Sequence, residues 1–346
     1  MEKRTNRPES PEAYILMKHG DKIVRRGATP GAGRTGRWPL AVAFSIFMLL
    51  LLPDAAMAWG PGVHMACSEW LFANLTLLPA GVATVISAYE SVFRYGALSA
   101  DIFIGKGCAV TPGHSHNWET AHTLLRSADS PRLKAYAYGY LSHLAADTVA
   151  HNHYVPNSMC STGGSKLSHV YVEMLADCMV PWNRGTAGAL YRLGSAEADR
   201  VLRAAVTPQR VPFFVKKQIF MGSVALCGHR RWRRSVKLVD RVLPFGMNAV
   251  YLAEMLNVSL RAVVDVLSDP FGSVVTGIDP IGEHNLAAIR SRTQGGAVRR
   301  ALRGLRTVRR GRSGTVAGGC EGVLFPLDPR LASLDFPAGR TACQAA

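Results

Sequence analysis

Residues 139–153 read GYLSHLAADTVAHNH, and this stretch decides the fold. Alanine and leucine recur, and no proline or further glycine interrupts the stretch after Gly139, which predicts an α-helix. Positions i, i+4 and i+8 of a helix share one face, so His143, Asp147 and His151 form a row. An inward-facing, unpaired carboxylate is costly, and the row therefore predicts a bound cation. Zinc is the simplest candidate, because histidine nitrogen and aspartate oxygen are both ordinary zinc ligands.

The length, charge and cysteine content of the chain limit the classes of protein to which it can belong. The chain has 346 residues, 48% of them hydrophobic, which is enough for one large domain or two small ones. Its formal charge of +16 favours anionic partners such as phospholipid surfaces or nucleic acid, although a solvated basic tail explains it equally well. The seven cysteines include no C-x-x-C pair, which argues against a cysteine-rich zinc site.

Residues 1–58 are expected to be an N-terminal extension and signal peptide. An arginine-rich region precedes the apolar run 40–52, which only Ser45 interrupts and which is too short to span a bilayer, and Ala56-Met57-Ala58 follows as an A-x-A cleavage site. Cleavage there makes Trp59 the new N-terminus and exports the protein to the periplasm or the medium. A retained anchor, with membrane association, is the alternative.

The remaining chain is predicted to be all-α, because no strand alternation and no long repeat interrupts its helical periodicity. We assign residues 59–290 to one helical domain. Residues 291–346 are rich in arginine and glycine, and we expect a basic, disordered tail there.

Ligand-type residues recur between positions 59 and 173, where eight of the eleven histidines fall between 64 and 169. Any one histidine–acid pair at helical spacing is more often an ordinary ion pair than a metal site, but the joint pattern is much less often accidental. The set comprises Trp59, His64, Asp101, His116, His143, Asp147, His151, His169 and Glu173.

This order of residues resembles the zinc-dependent phospholipase C family, which includes bacterial phosphatidylcholine phospholipases and clostridial alpha-toxin. Mature members begin with a tryptophan whose amino nitrogen and carbonyl oxygen bind zinc, and Trp59 would hold that place. His64 matches the nearby histidine ligand, and Asp101 matches the acidic ligand after a glycine-containing turn. The segment 116–119, HNWE, resembles the H-x-W-D motif, which favours His116 over His114.

The resemblance extends to two histidine–acid pairs. His143 and Asp147 match the pair whose aspartate bridges two metals, while His169 and Glu173 match the second-zinc pair. The family pattern leaves the position of the next histidine ligand open between two residues. The small phospholipases and nucleases place it six residues after the bridging aspartate, at His153, and the glycosylphosphatidylinositol phospholipase D relatives place it four after, at His151. Helical geometry favours His151.

The resemblance implies a compact multi-helix domain with a central cleft holding three zinc ions. It also implies a phosphoric diester hydrolase that cleaves phospholipid headgroups with a zinc-activated water, Asp101 accepting a proton as a catalytic base. The expected partners are a phospholipid or other phosphodiester and an anionic membrane surface. Two alternatives stay open, namely a single-strand nuclease acting on nucleic acid and a non-catalytic, zinc-stabilised binding protein.

Overall fold

A computed structural model describes the protein over residues 59–103, 111–162, 166–183, 189–190, 196–207, 211–228, 232–234, 236, 249–293 and 324–337. The signal peptide predicted over residues 1–58 and most of the basic tail lie outside these residues. The described residues form helices and no strand, which confirms the all-α fold class. No helix among them is both long and apolar enough to cross a bilayer.

The helices follow one another with short connections. In chain order they are α1 (Pro61–Ala73), α2 (Ala80–Ala88), α3 (Glu90–Ser99), α4 (Trp118–Arg126), α5 (Pro131–Val149), α6 (Val155–Thr162), α7 (Lys166–Met179), α8 (Ala196–Ala205), α9 (Phe213–Gly228), α10 (Ala249–Ser268), α11 (Glu283–Thr293) and α12 (Pro329–Ala332). Short 3₁₀ turns lie at Leu75–Leu77, Ala100–Ile102 and Val274–Gly277.

Helix α5 is the centre of the domain and packs against α3, α4 and α10. The side chain of Ser130 caps its N-terminus and Pro131 occupies its first turn, both typical of a helix start. Its crossing with α3 is close: a Cβ at Gly139 would lie 1.9 Å from the Phe93 carbonyl oxygen, and one at Gly96 would lie 2.2 Å from that of Tyr136. The two glycines therefore let the helix backbones approach one another.

The sequence predicted a regular helix through residue 153, but the structure departs from this at the end of the helix. A π-helical turn at Ala150–Tyr154 follows α5 and leads into α6. The side-chain amide of Asn152 donates to the Asp279 carbonyl at 2.7 Å, and Gly282, with φ of 62°, passes so close to the His151 carbonyl that a Cβ would lie 2.3 Å from it. The segment before α11 thus supports the π-turn, a conformation common at functional sites.

Part of the segment assigned to the tail belongs to the packed domain. Leu331, in α12, is fully buried, and Asn157 of α6 bonds both the carbonyl and the amide of Phe325. The assignment of the whole of residues 291–346 to a disordered tail therefore does not hold for residues 324–337. Apolar residues spaced among prolines gave no periodicity by which the sequence could reveal this.

Candidate metal centre

Four buried side chains converge at the middle of the domain. One potential ligand atom from each of Asp101, His116, His143 and Asp147 lies within 4.8 Å of the others. Asp147 Oδ2 is 3.1 Å from His116 Nε2 and 3.2 Å from His143 Nε2, and those two nitrogens are 3.0 Å apart. Asp101 Oδ1 is 3.4 Å from His116 Nε2. The four residues come from α5, the turn after α3 and the segment before α4, so tertiary packing assembles them.

The backbone sets the orientation of His143. Its Nδ1–H donates to the Ala97 carbonyl at 2.9 Å, because a carbonyl oxygen can only accept. In the neutral ring Nε2 is then left with a lone pair directed at Asp147 and His116. Such a hydrogen bond at the far nitrogen is the usual support for a metal-ligating histidine.

The second carboxylate oxygen of Asp147 faces the N-terminal part of the domain. His64 Nε2 lies 3.1 Å from Asp147 Oδ1, and the His64 ring stacks on the His143 ring with centroids 4.0 Å apart. The Trp59 backbone N–H donates to the same oxygen at 3.3 Å. The Trp59 indole is fully buried, and its Nε1–H donates to Ala146 O at 3.0 Å and Ser259 Oγ at 3.2 Å. Asp147 therefore lies between two groups of ligand-type atoms.

The remaining predicted residues extend the cluster on its other side. His151 Nε2 is 4.0 Å from Asp147 Oδ2, and the His151 and His169 rings lie edge to face with centroids 5.6 Å apart. His169 Nε2 is 2.8 Å from Glu173 Oε1 on α7. All nine predicted site residues are thus buried in one continuous cluster.

The alternative histidines that the sequence left open lie in different surroundings. His151 lies in the cluster, whereas His153 is turned toward the Phe325 and Pro326 carbonyls and Asp328. His116 contributes its Nε2 to the cluster, whereas His114 supports the turn, its Nδ1 accepting from the His116 N–H at 3.0 Å. The geometry favours His151 and His116 as ligands.

Burial and mutual contact perturb the pKa values of these groups. Burial alone would raise the pKa of Asp147, but the His143 and His64 rings outweigh it and hold that pKa well below its usual range. Burial lowers the pKa of His151 far below its ordinary value, and the His169 and His116 rings add to this. Burial, reinforced by Asp101 and Asp147, raises the pKa of Glu173 well above its ordinary value. Burial therefore favours the neutral forms of His151 and Glu173, and a bound cation would favour the ionised form of Glu173.

The donor set fits zinc. Both ring nitrogens of His151 and the Oε2 atom of Glu173 are buried without a hydrogen-bond partner among the described residues. Two ligands bound to one tetrahedral zinc at about 2.1 Å lie roughly 3.4 Å apart, close to the spacings within the four-residue group. In the described part of the chain, every basic side chain within 4.0 Å of Asp101 or Asp147 is a histidine. Metal is therefore the cation that this cluster suits.

One further residue escaped the sequence analysis. Asp177 is buried on α7, one turn beyond Glu173, and its carboxylate accepts the N–H groups of Gly62 at 3.0 Å and Val63 at 2.9 Å. A Cβ at Gly60 would lie 2.4 Å from this carboxylate, so only glycine leaves room there. Burial raises the pKa of Asp177 to about 7. The spacing of His169, Glu173 and Asp177 at i, i+4 and i+8 was the available signal.

Asp177 fixes the chain that carries Trp59 and His64, so we expect Asp177→Ala to weaken zinc binding by about 10- to 100-fold. Leaving the Gly62 and Val63 N–H groups unsatisfied also costs roughly 1–3 kcal/mol of stability. Zinc competition and thermal melting measure the two effects. Asp177→Asn keeps one acceptor oxygen and should recover part of the affinity, and the exposed Asp129→Ala should change neither. Wild-type zinc affinity in Asp177→Ala would contradict this role.

An all-α domain with a buried cluster of imidazole and carboxylate groups is a candidate metal-binding protein. Residues 63–206 match the sequence model of a family described as zinc-dependent phospholipase C. This match confirms the family resemblance, and the matched segment contains every predicted site residue except Trp59. Searches of curated proteins and of solved structures found no match.

Proposed function

We propose that the protein is a phospholipase C-type hydrolase that cleaves the headgroup phosphodiester of phospholipids and holds three zinc ions. The observation that carries the proposal is the buried group of Asp101, His116, His143 and Asp147, whose ligand atoms lie within 4.8 Å of one another. The family match over residues 63–206 supports both zinc and the reaction class.

The arrangement offers three groups of ligands around shared carboxylates. Asp147 presents one oxygen to His116 and His143 and the other to His64 and the Trp59 nitrogen, which suits a carboxylate that bridges two ions. A further ion would be held by His151, His169 and Glu173. When bound, zinc lowers the pKa of a coordinated water to about 7 and offsets the charge that develops on phosphate oxygens.

Asp101 is the residue that we assign to proton transfer. Burial would raise its pKa, but the His143 and His116 rings reverse this and hold the pKa below its ordinary value. The carboxylate is therefore ionised at neutral pH and able to accept a proton from the attacking water. Its side chain is almost fully buried, which limits competition from bulk solvent.

We further propose that the protein is exported and that cleavage after Ala58 gives the mature enzyme. The Trp59 nitrogen already lies 3.3 Å from Asp147, so a free amine at this position would face the metal ligands directly. The anchored indole would hold that amine in place.

The test is elemental analysis of protein beginning at Trp59, compared with a form carrying one extra N-terminal residue. We expect near three zincs per chain in the first and fewer in the second. The zinc-loaded protein should then release phosphocholine from a short-chain phosphatidylcholine and leave single-stranded DNA intact. DNA cleavage without lipid hydrolysis would indicate a nuclease, zinc without either activity a binding protein, and no zinc in either form would overturn the enzyme proposal.

A further inference from the structure

The exposed apolar side chains of the domain are concentrated at one helix. Four of the seven large hydrophobic residues that are exposed in the described part of the chain lie within residues 211–219. They are Val211 (45% exposed), Phe214 (68%), Val215 (41%) and Ile219 (46%), which we call the α9 apolar face. At about 100° per residue, the three members within the helix fall in an arc of about 140°. They form one side of the helix rather than scattered exposed residues.

The opposite side of α9 is fixed to the domain beside the candidate metal centre. Phe220 is fully buried, and the Phe213 ring lies 5.5 Å from the ring of Phe103, two residues after Asp101. Helix α9 also packs on the turn Ala100–Ile102 that contains Asp101. Lys217 Nζ bonds Asp199 on α8 at 2.6 Å. The apolar face is therefore on a helix whose opposite side packs next to the turn that contains Asp101.

Charge and area indicate what covers this face. Helix α9 contains no acidic residue, and its two lysines, Lys216 and Lys217, are buried, the second paired with Asp199. Scaled by their exposed fractions, the four side chains present about 350 Å² of apolar surface, against about 800 Å² per partner in a standard interface. A patch of this size is too small for a stable dimer but suits shallow insertion into a lipid surface without electrostatic repulsion from anionic headgroups.

We propose that the α9 apolar face is the surface through which this protein enters a phospholipid bilayer. Phe214 and Ile219 insert between headgroups, and the bilayer is then presented to the side of the domain where the Asp101 turn lies. The proposed phospholipase function explains why the protein would bind a bilayer, because a phospholipid substrate must be taken from an aggregate, and to that extent the inference rests on it. The lipid binding itself is inferred from the exposed apolar residues alone.

The experiment compares the zinc-loaded mature protein with the double variant Phe214→Ser/Ile219→Ser. Sedimentation with vesicles of phosphatidylcholine containing some phosphatidylglycerol measures binding, and release of phosphocholine is measured both from the vesicles and from a monomeric short-chain phosphatidylcholine. We expect the variant to lose vesicle binding and vesicle hydrolysis by about 10-fold or more, because two buried apolar side chains are removed from the lipid. Hydrolysis of the monomeric lipid and the melting temperature should not change.

Val250→Ser is the matched control, since Val250 is 74% exposed but lies on α10. It should behave as wild type. Equal vesicle binding by wild type and double variant would overturn the proposal, as would a wild-type dimer that the double variant converts to monomer. A third outcome separates the two proposals. If wild type and Val250→Ser bind vesicles, the double variant does not, and wild type hydrolyses neither lipid, the lipid-binding surface is supported and the proposed catalytic function is refuted.

Discussion

Replacing Asp147 by asparagine is expected to reduce phosphodiester hydrolysis by at least about 10²- to 10³-fold and to lower the zinc content. Asp147 is fully buried and contacts His64, His116 and His143 within 3.2 Å. Asparagine has nearly the same shape, but it removes the negative charge and places an NH₂ donor where an oxygen faced the ligand atoms. If Asp147 bridges two ions as proposed, a neutral amide cannot replace it, and zinc binding and hydrolysis should be lost together.

Elemental analysis and hydrolysis of a short-chain phosphatidylcholine measure the two effects. Asp129→Asn is the matched control, because Asp129 is exposed and lies away from the cluster in sequence. Wild-type zinc content and rate in Asp147→Asn would contradict the assignment of Asp147 as a bridging ligand. Reduced rate with full zinc content would instead limit its role to the reaction.

Removing zinc is expected to destabilise the domain strongly. Three carboxylates of the cluster, those of Asp101, Asp147 and Glu173, are buried together. Without metal, the neighbouring rings alone stabilise the charges of Asp101 and Asp147, whose pKa values are lowered, while burial raises the pKa of Glu173. Metal binding and folding should therefore be coupled. A ligand at a thousandfold excess over its Kd contributes about 4 kcal/mol, which corresponds to a decrease in Tm of about 10 °C on chelation.

Thermal melting of the mature protein before and after complete chelation tests this expectation, and added zinc should restore the original Tm. Asp147→Asn serves as the comparison, since a protein that no longer binds its full metal complement should respond less to chelator. An unchanged melting curve after verified zinc removal would show that the helices hold together without metal and would count against the proposed site.

The central helix shows how far periodicity reaches. The spacing of His143 and Asp147 predicted their shared face from local geometry alone, because i and i+4 always meet on an α-helix. The same reasoning favoured His151 but assumed a regular helix, whereas the π-turn at Ala150–Tyr154 is supported by contacts from residues more than a hundred positions away. Helical periodicity in a sequence gives no information about contacts with segments so far away in the chain.

The N-terminal segment shows the same division. The sequence placed Trp59 and His64 in the ligand set through family resemblance, but it did not find the buried carboxylate of Asp177 that holds Gly62 and Val63. Helical spacing from Glu173 could point to Asp177, but its contact with Gly62 and Val63 joins residues more than a hundred positions apart. Likewise, residues 324–337 read as tail because their few apolar side chains, such as Leu331, become core only when the rest of the domain surrounds them.

The sequence by itself determined the all-α class, the family resemblance and the kinds of ligand atom, because these depend on residue type, helical spacing and motif order. The tertiary structure alone decided which histidines meet, which oxygen of Asp147 each group faces, and where the α9 apolar face lies relative to Asp101. Distances between ligand atoms arise from helix crossings and long-range hydrogen bonds, which bring together segments that are remote in the chain.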